Sequence, residues 1–190
     1  ILFFMNIVSM MIKSEKYKNF SRLLKEKLFK YTNNLCSSRT TLSGGAYTGE
    51  ISIVYAYQLL FLISENHNYL DYAEKHITII CNNINPRGDA DLVNGDAGVI
   101  VLSLNMYRLT KKTKYIHYAE EVANYLIAKL TDIDNGCGWK HPSYNEPLAG
   151  LSHGCSGIAM SLAYLYNISK DKRYLPIIEN LVNYENTFYD

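Results

Sequence analysis

Charge of one sign, paired cysteines and long apolar runs are all missing from this chain of 190 residues. Its 19 Lys and Arg nearly balance 18 Asp and Glu, for a formal net charge of +1, which removes the electrostatic case for nucleic acid or an anionic membrane as partner. The four cysteines, Cys36, Cys81, Cys137 and Cys155, are scattered and form no CxxC pair. Neither a disulfide framework nor a zinc ribbon is legible in that spacing, and a reducing cytoplasm is the expected setting. The apolar opening, Ile1 to Ile12, runs for only 12 residues and contains Asn6 and Ser9, too short to span a bilayer. It also lacks the basic leader and small-residue cleavage site of a signal peptide. Strand-like alternation is absent over any useful length, which argues against a β fold.

What is present is apolar and rich in tyrosine. With 48% hydrophobic and 19% charged residues, the chain reads as globular and long enough for one domain with a sizeable core. Tyrosine, at 17 copies against 6 Phe and 1 Trp, suits helix faces buried at the ring and wet at the hydroxyl, such as those lining a polar cavity. The chain opens on Ile rather than Met, which reads as a piece of something longer, with Met5 the alternative initiator. Residues 1–42 are expected to form an N-terminal helical segment. Within it, from Lys13 to Asn34, Tyr17, Phe20, Leu23, Leu24, Leu28 and Tyr31 recur at three- and four-residue steps, the mark of an amphipathic helix. The polar run Cys36 to Ser43 is expected to be loop.

From there a unit recurs three times. Each copy opens on a glycine-rich turn: Gly45-Ala46-Tyr47-Thr48-Gly49, then Gly95-Asp96-Ala97-Gly98, then Gly154-Cys155-Ser156-Gly157. A strongly apolar helix follows each turn, over Ile51 to Ile63, Val99 to Leu109 and Ile158 to Ile168. A second, more polar helix then opens on Tyr69, Tyr115 or Tyr174. Tyr69 follows Gly49 by 20 residues, while Tyr115 follows Gly98 and Tyr174 follows Gly157 by 17. Helices this apolar must be buried nearly all round, and the polar ones can shield them. Stacked hairpins of this kind build an open superhelix or a closed α/α toroid. Pro176 falls in the first turn of its helix, where a missing amide donor is tolerated.

The loops before the apolar helices, Asn82 to Asn94 and Thr131 to Ser152, carry the turn formers Pro86-Arg87-Gly88 and Asp134-Asn135-Gly136. In a toroid their ends converge on one mouth. That brings Asp91, Asn94 and Asp96 from the second unit toward His141, Ser152 and His153 from the third. Ser152 is placed to cap the third apolar helix through its hydroxyl. His153 is the candidate proton donor and acceptor, since imidazole exchanges a proton near neutral pH; its alternative is a structural group that only bonds its own loop. Asp91 has a parallel alternative as a turn or cap residue. Gly154 and Gly157 are expected to supply backbone freedom at a sharp entry. Cys155 reads as a small buried thiol, Cys137 as the more exposed one, and Trp139 as a loop anchor or cavity wall.

These residues carry a resemblance. Gly45-Ala46-Tyr47-Thr48-Gly49-Glu50 with Ser52, Asp91 through Ile100, Gly138-Trp139 followed by Pro147 to Ile158, and Tyr184-Glu185-Asn186 with Phe188 run in the order of the lanthionine synthetase C-like family. The chain resembles the cyclase domain of class II lanthipeptide synthetases over roughly Ser43 to Asp190. The resemblance implies an all-α toroid of helical hairpins, about three of them here, so that 43–190 would be a partial domain. It also implies a reaction that joins peptide cysteines to dehydroalanine or dehydrobutyrine by Michael addition, with a precursor peptide as partner and with zinc activating the thiol. A catalytic acid/base matching His153 and a polar partner matching Asp91 are implied with it. The family's zinc ligands would lie beyond Asp190, so the chain alone is expected to hold no metal and to be inactive.

Two other readings stay open. An α/α-toroid glycoside hydrolase would need opposed carboxylates, for which Asp91 and Asp96 are the candidates and Glu146 the nearest Glu. A non-catalytic helical-repeat module would use exposed apolar ends to self-associate or recruit a partner.

Overall fold

The computed structural model describes residues 2–35, 45–82, 89–134, 136–140, 144 and 146–189. The loop expected over Cys36 to Ser43, and the turn formers Pro86-Arg87-Gly88, fall outside them. Eight helices stand among the described residues: α1 (Leu2–Ile12), α2 (Glu15–Leu35), α3 (Ile51–Ser64), α4 (His67–Asn82), α5 (Asp96–Thr110), α6 (Lys114–Ala128), α7 (Cys155–Ser169) and α8 (Tyr174–Asn186). They pair as hairpins, giving the all-α architecture of an α/α toroid. No helix among the described residues is long and apolar enough to cross a membrane.

The repeat read from the sequence is the repeat of the fold. α3, α5 and α7 are the apolar helices, and α5 packs against both α3 and α7. Ile51, Val54, Tyr57, Val99, Ile100, Leu104, Leu162 and Leu165 have no exposed surface, and burying each such side chain contributes roughly 1.5–3 kcal/mol. α4, α6 and α8 lie outside, with the signature rings of Tyr115 and Tyr174 fully buried against the inner layer. Each inner helix ends the same way. Glu65, Lys111 and Lys170 take φ of 53, 62 and 60°, and their amides bond back to the carbonyls of Phe61, Tyr107 and Tyr166.

Lys13, between α1 and α2, has the same left-handed conformation at φ 51°. A fourth hairpin therefore precedes the three that carry glycine turns, with α1 taking the inner place against α3. α2 is locked on by Phe29, whose ring lies 5.0 Å from Tyr72 and 5.9 Å from Tyr57, and by a 2.9 Å bond between Thr32 and the Tyr57 hydroxyl.

A small sheet interrupts the helical pattern. β1 (Thr131–Ile133) and β2 (Gly136–Gly138) pair antiparallel, with Thr131 opposite Gly138 and Ile133 opposite Gly136. The region reads as loop in sequence because three-residue strands are too short to show alternation. β2 packs on α8 and leaves Cys137 with no exposed surface. The expectation that Cys137 is exposed is thereby corrected: pairing and the α8 contact cover it.

Candidate active site

The glycine turns of the three units are hydrogen-bonded to one another in order. Tyr47 of the first donates its amide to the carbonyl of Val93 in the second, at 3.1 Å, and Val93 donates to the carbonyl of Ser152 in the third, at 3.3 Å. Thr48 adds a 2.6 Å bond to the Asn94 side chain. The turns of the first and second units also rest on the next inner helix, at glycines whose Cβ would crowd them. A Cβ at Gly98 would meet the Ala46 backbone nitrogen at 2.7 Å, and one at Gly157 would meet the Leu92 Cβ at 3.2 Å.

This stitching brings His153 and Asp91 together. His153 Nδ1 lies 2.9 Å from Asp91 Oδ2, and the other oxygen of Asp91 accepts the Asn94 amide at 2.6 Å. The carboxylate is buried, at 5% side-chain exposure, while the imidazole is half open at 48%. An ionised carboxylate only accepts hydrogen bonds, so Nδ1 is the donor and Nε2 is left for chemistry. Asp91 does make a turn bond, as its alternative role requires, yet it does so with one oxygen and holds His153 with the other.

A cavity of about 210 Å³ opens beside the pair. Its wall includes Asp96, Lys129, Trp139, Leu148, Cys155 and Ile158. Trp139 fills both roles expected of it: it lines the cavity, and its Nε1 donates to the Leu126 carbonyl at 2.7 Å. Cys155 is a buried small thiol, pushed up to about 12 by burial, then by Glu185 and Cys137. Burial raises the Asp96 carboxyl to about 6, Lys129 pulling it down and Asp89 pushing it up.

Several sequence expectations change in detail. Ser152 does not cap α7. The cap residue is Gly154, with no side-chain bond, and the Cys155 amide is satisfied by the Leu148 carbonyl at 2.9 Å. Ser152 contributes its carbonyl instead. Gly154 has φ −122°, an extended conformation open to any residue, so freedom is not the reason for glycine there. Space is: a Cβ would lie 2.2 Å from the Ala149 carbonyl carbon. His141 lies outside the described residues.

Tyr184-Glu185 carries part of the family resemblance, and its role becomes visible only in the packing of α8. The Tyr184 hydroxyl donates to the Pro147 carbonyl at 2.8 Å, and Glu185 Oε1 accepts the Gly150 amide at 2.7 Å. α8 thus clamps the loop that delivers His153. Among the described residues no three His, Cys, Asp or Glu side chains cluster so as to hold a metal ion. The described thiols, two of them fully buried, do not fit a zinc site either.

Comparisons with known proteins agree with this architecture. Over 186 residues, 97% of its length, the chain is 29% identical to the lacticin 481/lactococcin biosynthesis protein LcnDR2 of Lactococcus lactis subsp. lactis, and it spans 18% of that protein. Among solved structures it is similar to a family 76 glycoside hydrolase from a bovine Bacteroides thetaiotaomicron strain, with a TM-score of 0.55 at 17% identity, covering 98% of this chain and 46% of that one. That likeness is one of fold alone. The family model for lanthionine synthetase C-like protein matches residues 1–190, and the chain belongs to that family.

Proposed function

We propose that this chain supplies the acid–base part of a lanthipeptide cyclase, which closes thioether rings between peptide cysteines and dehydrated Ser or Thr. The observation that carries the reading is the 2.9 Å contact between His153 and the buried Asp91 at the mouth of the repeated turns. When a thiolate adds to the β-carbon of a dehydro residue, charge passes to the enolate and the α-carbon must gain a proton. His153, protonated at Nε2, delivers it. Asp91 fixes the ring orientation through Nδ1 and balances the imidazolium charge. A positioned general acid of this kind contributes roughly 10²–10⁴-fold.

A relative named for lacticin 481 biosynthesis supports a precursor peptide as substrate. The free thiols of Cys81, Cys137 and Cys155 support a reducing, cytoplasmic setting. In the family resemblance, zinc supplies thiol activation. Among the described residues no cluster of His, Cys, Asp or Glu fits that ion, so its ligands would come from elsewhere. The purified chain is accordingly expected to hold no zinc and to close no rings, and one tightly held zinc per chain in metal analysis would contradict this.

The acid–base assignment is tested in the complete protein encoded by the gene, with a dehydrated precursor peptide and free thiols counted by alkylation and mass spectrometry. His153→Asn is expected to leave the thiols free. Ring closure by that variant at the wild-type rate would refute the assignment.

A further inference from the structure

The cavity beside His153 holds a second buried carboxylate paired with a half-open cation. Asp96, the first residue of α5, is 3% exposed. Its Oδ2 lies 4.0 Å from the ammonium of Lys129, the C-cap residue of α6, and the two side chains are 5% and 42% exposed. Asp91 and His153, at 5% and 48%, repeat the arrangement on the same cavity.

The repeat offers an internal control on whether the fold needs Asp96. Gly95 and Gly154 are equivalent caps, with φ and ψ of −130, −165° and −122, −170°. Asp96 is therefore the counterpart of Cys155, and both amides bond to the loop carbonyl seven residues back, Asp89 and Leu148, at 2.9 Å. The amides of Ala97 and Gly98 are likewise satisfied by carbonyls of Ala90 and Gly95. The amides at the start of α5 thus need no bond from the Asp96 side chain, whose charge the helix N-terminus favours in part, and the third unit is built with an uncharged thiol at the same place. Among the described residues Asp96 has no side-chain hydrogen bond, only the long ion pair to Lys129. A carboxylate held dry at a site that needs none costs stability, and what it does there is keep an ammonium group at the cavity wall.

We propose that Lys129, held by Asp96, is the cation that takes up the charge developing on the carbonyl oxygen of the dehydro residue during thiol addition. This rests on the cyclase reading. The sulfur lone pair forms the S–Cβ bond, the Cα=Cβ pair moves toward the carbonyl, and the oxygen becomes anionic opposite Lys129. The pair then returns to the α-carbon, which takes the proton from His153, and the ring nitrogen is reprotonated by the equivalent that the thiol released. No oxidant or reductant is required. Trp139, Leu148 and Ile158 on the cavity wall keep the local dielectric low, which strengthens the ammonium–oxyanion interaction.

The experiment compares Lys129→Met, Lys129→Arg, Asp96→Asn and His153→Asn in the complete protein encoded by the gene, following ring closure on the dehydrated peptide. Lys129→Met is expected to lower kcat by roughly 10²–10³-fold, the loss typical of an oxyanion donor, with KM changed by less than about threefold. Lys129→Arg should recover to within about tenfold of wild type, because the charge is kept. Asp96→Asn should fall between, since the cation remains but is no longer held. In parallel, binding of oxamate, a planar enolate-like anion, to the 190-residue chain is followed by NMR. It should weaken in Lys129→Met and persist in Lys129→Arg. Wild-type kcat in Lys129→Met, an equal loss in Lys129→Arg, or unchanged oxamate binding in Lys129→Met would each overturn the proposal. A dead His153→Asn beside a fully active Lys129→Met would remove this inference and leave the cyclase reading standing. If neither substitution slows ring closure, both fall.

Discussion

His153 and Asp91 are 62 positions apart in the chain and 2.9 Å apart in space, and both were legible because each sits at a glycine turn of one repeat. What the sequence could not give was ionisation, which depends on packing from distant segments. His76 is the clearest case. It is buried with its ring stacked on Tyr57, and burial, then Lys75, pushes it down to about 4 from 6.5. Below pH 6.5 the unfolded chain takes up a proton there that the folded chain refuses. Its contribution is present above pH 6.5 and is lost as pH falls toward about 4. Asp96 acts in the opposite direction. The folded chain holds a proton between 3.8 and about 6 that the unfolded chain releases, so stability from it is present below 3.8 and lost as pH rises through about 6. The two offset each other over much of the acid range. In His76→Phe, which keeps a flat ring against Tyr57, the loss between pH 6.5 and 4 should shrink by about 2–3 kcal/mol in chemical denaturation. An unchanged slope would mean that His76 titrates normally.

At the scale of elements, the helices from α3 to α8 follow from period, turn and apolar content. α1 stands at the first residues of the sequence, where no turn motif marks it as a repeat member, although its exit residue, Lys13, shares the left-handed conformation of Glu65, Lys111 and Lys170. That conformation costs a non-glycine residue roughly 1–2 kcal/mol. Lys111→Gly should therefore raise stability by about 0.5–1 kcal/mol once the greater freedom of unfolded glycine is set against the relief. A lower melting temperature would contradict this. Gly154→Ala should do the reverse, because its methyl would sit 2.2 Å from a backbone carbon rather than from a movable side chain, with an expected cost of about 2 kcal/mol or more. The clamp from α8 to the His153 loop is a subtler feature, since it consists of two hydrogen bonds to backbone atoms of Pro147 and Gly150. Glu185→Gln, which keeps the shape and removes the charge, should slow ring closure by about tenfold and leave KM within about twofold.

For the whole molecule, four stacked hairpins leave a layer at each end of the stack. Phe4, Met10, Met11 and Ile12 are exposed on or next to α1, and Leu175, Val182 and Phe188 on or next to α8. Apolar side chains grouped in this way favour association. Sedimentation of the purified chain should show concentration-dependent oligomers, weakened by Met11→Ser combined with Phe4→Ser; a monomer at every concentration would contradict this. The central claim is that the hairpins wrap so that three turns share one mouth, with the imidazole of one unit donating to the carboxylate of the unit before it. Long-range proton–nitrogen NMR of the His153 ring tests it most directly. An Asp91 contact requires the neutral ring to carry its proton on Nδ1, and Asp91→Asn should disturb that signature. A ring protonated on Nε2, unmoved by the substitution, would show that the two side chains do not meet.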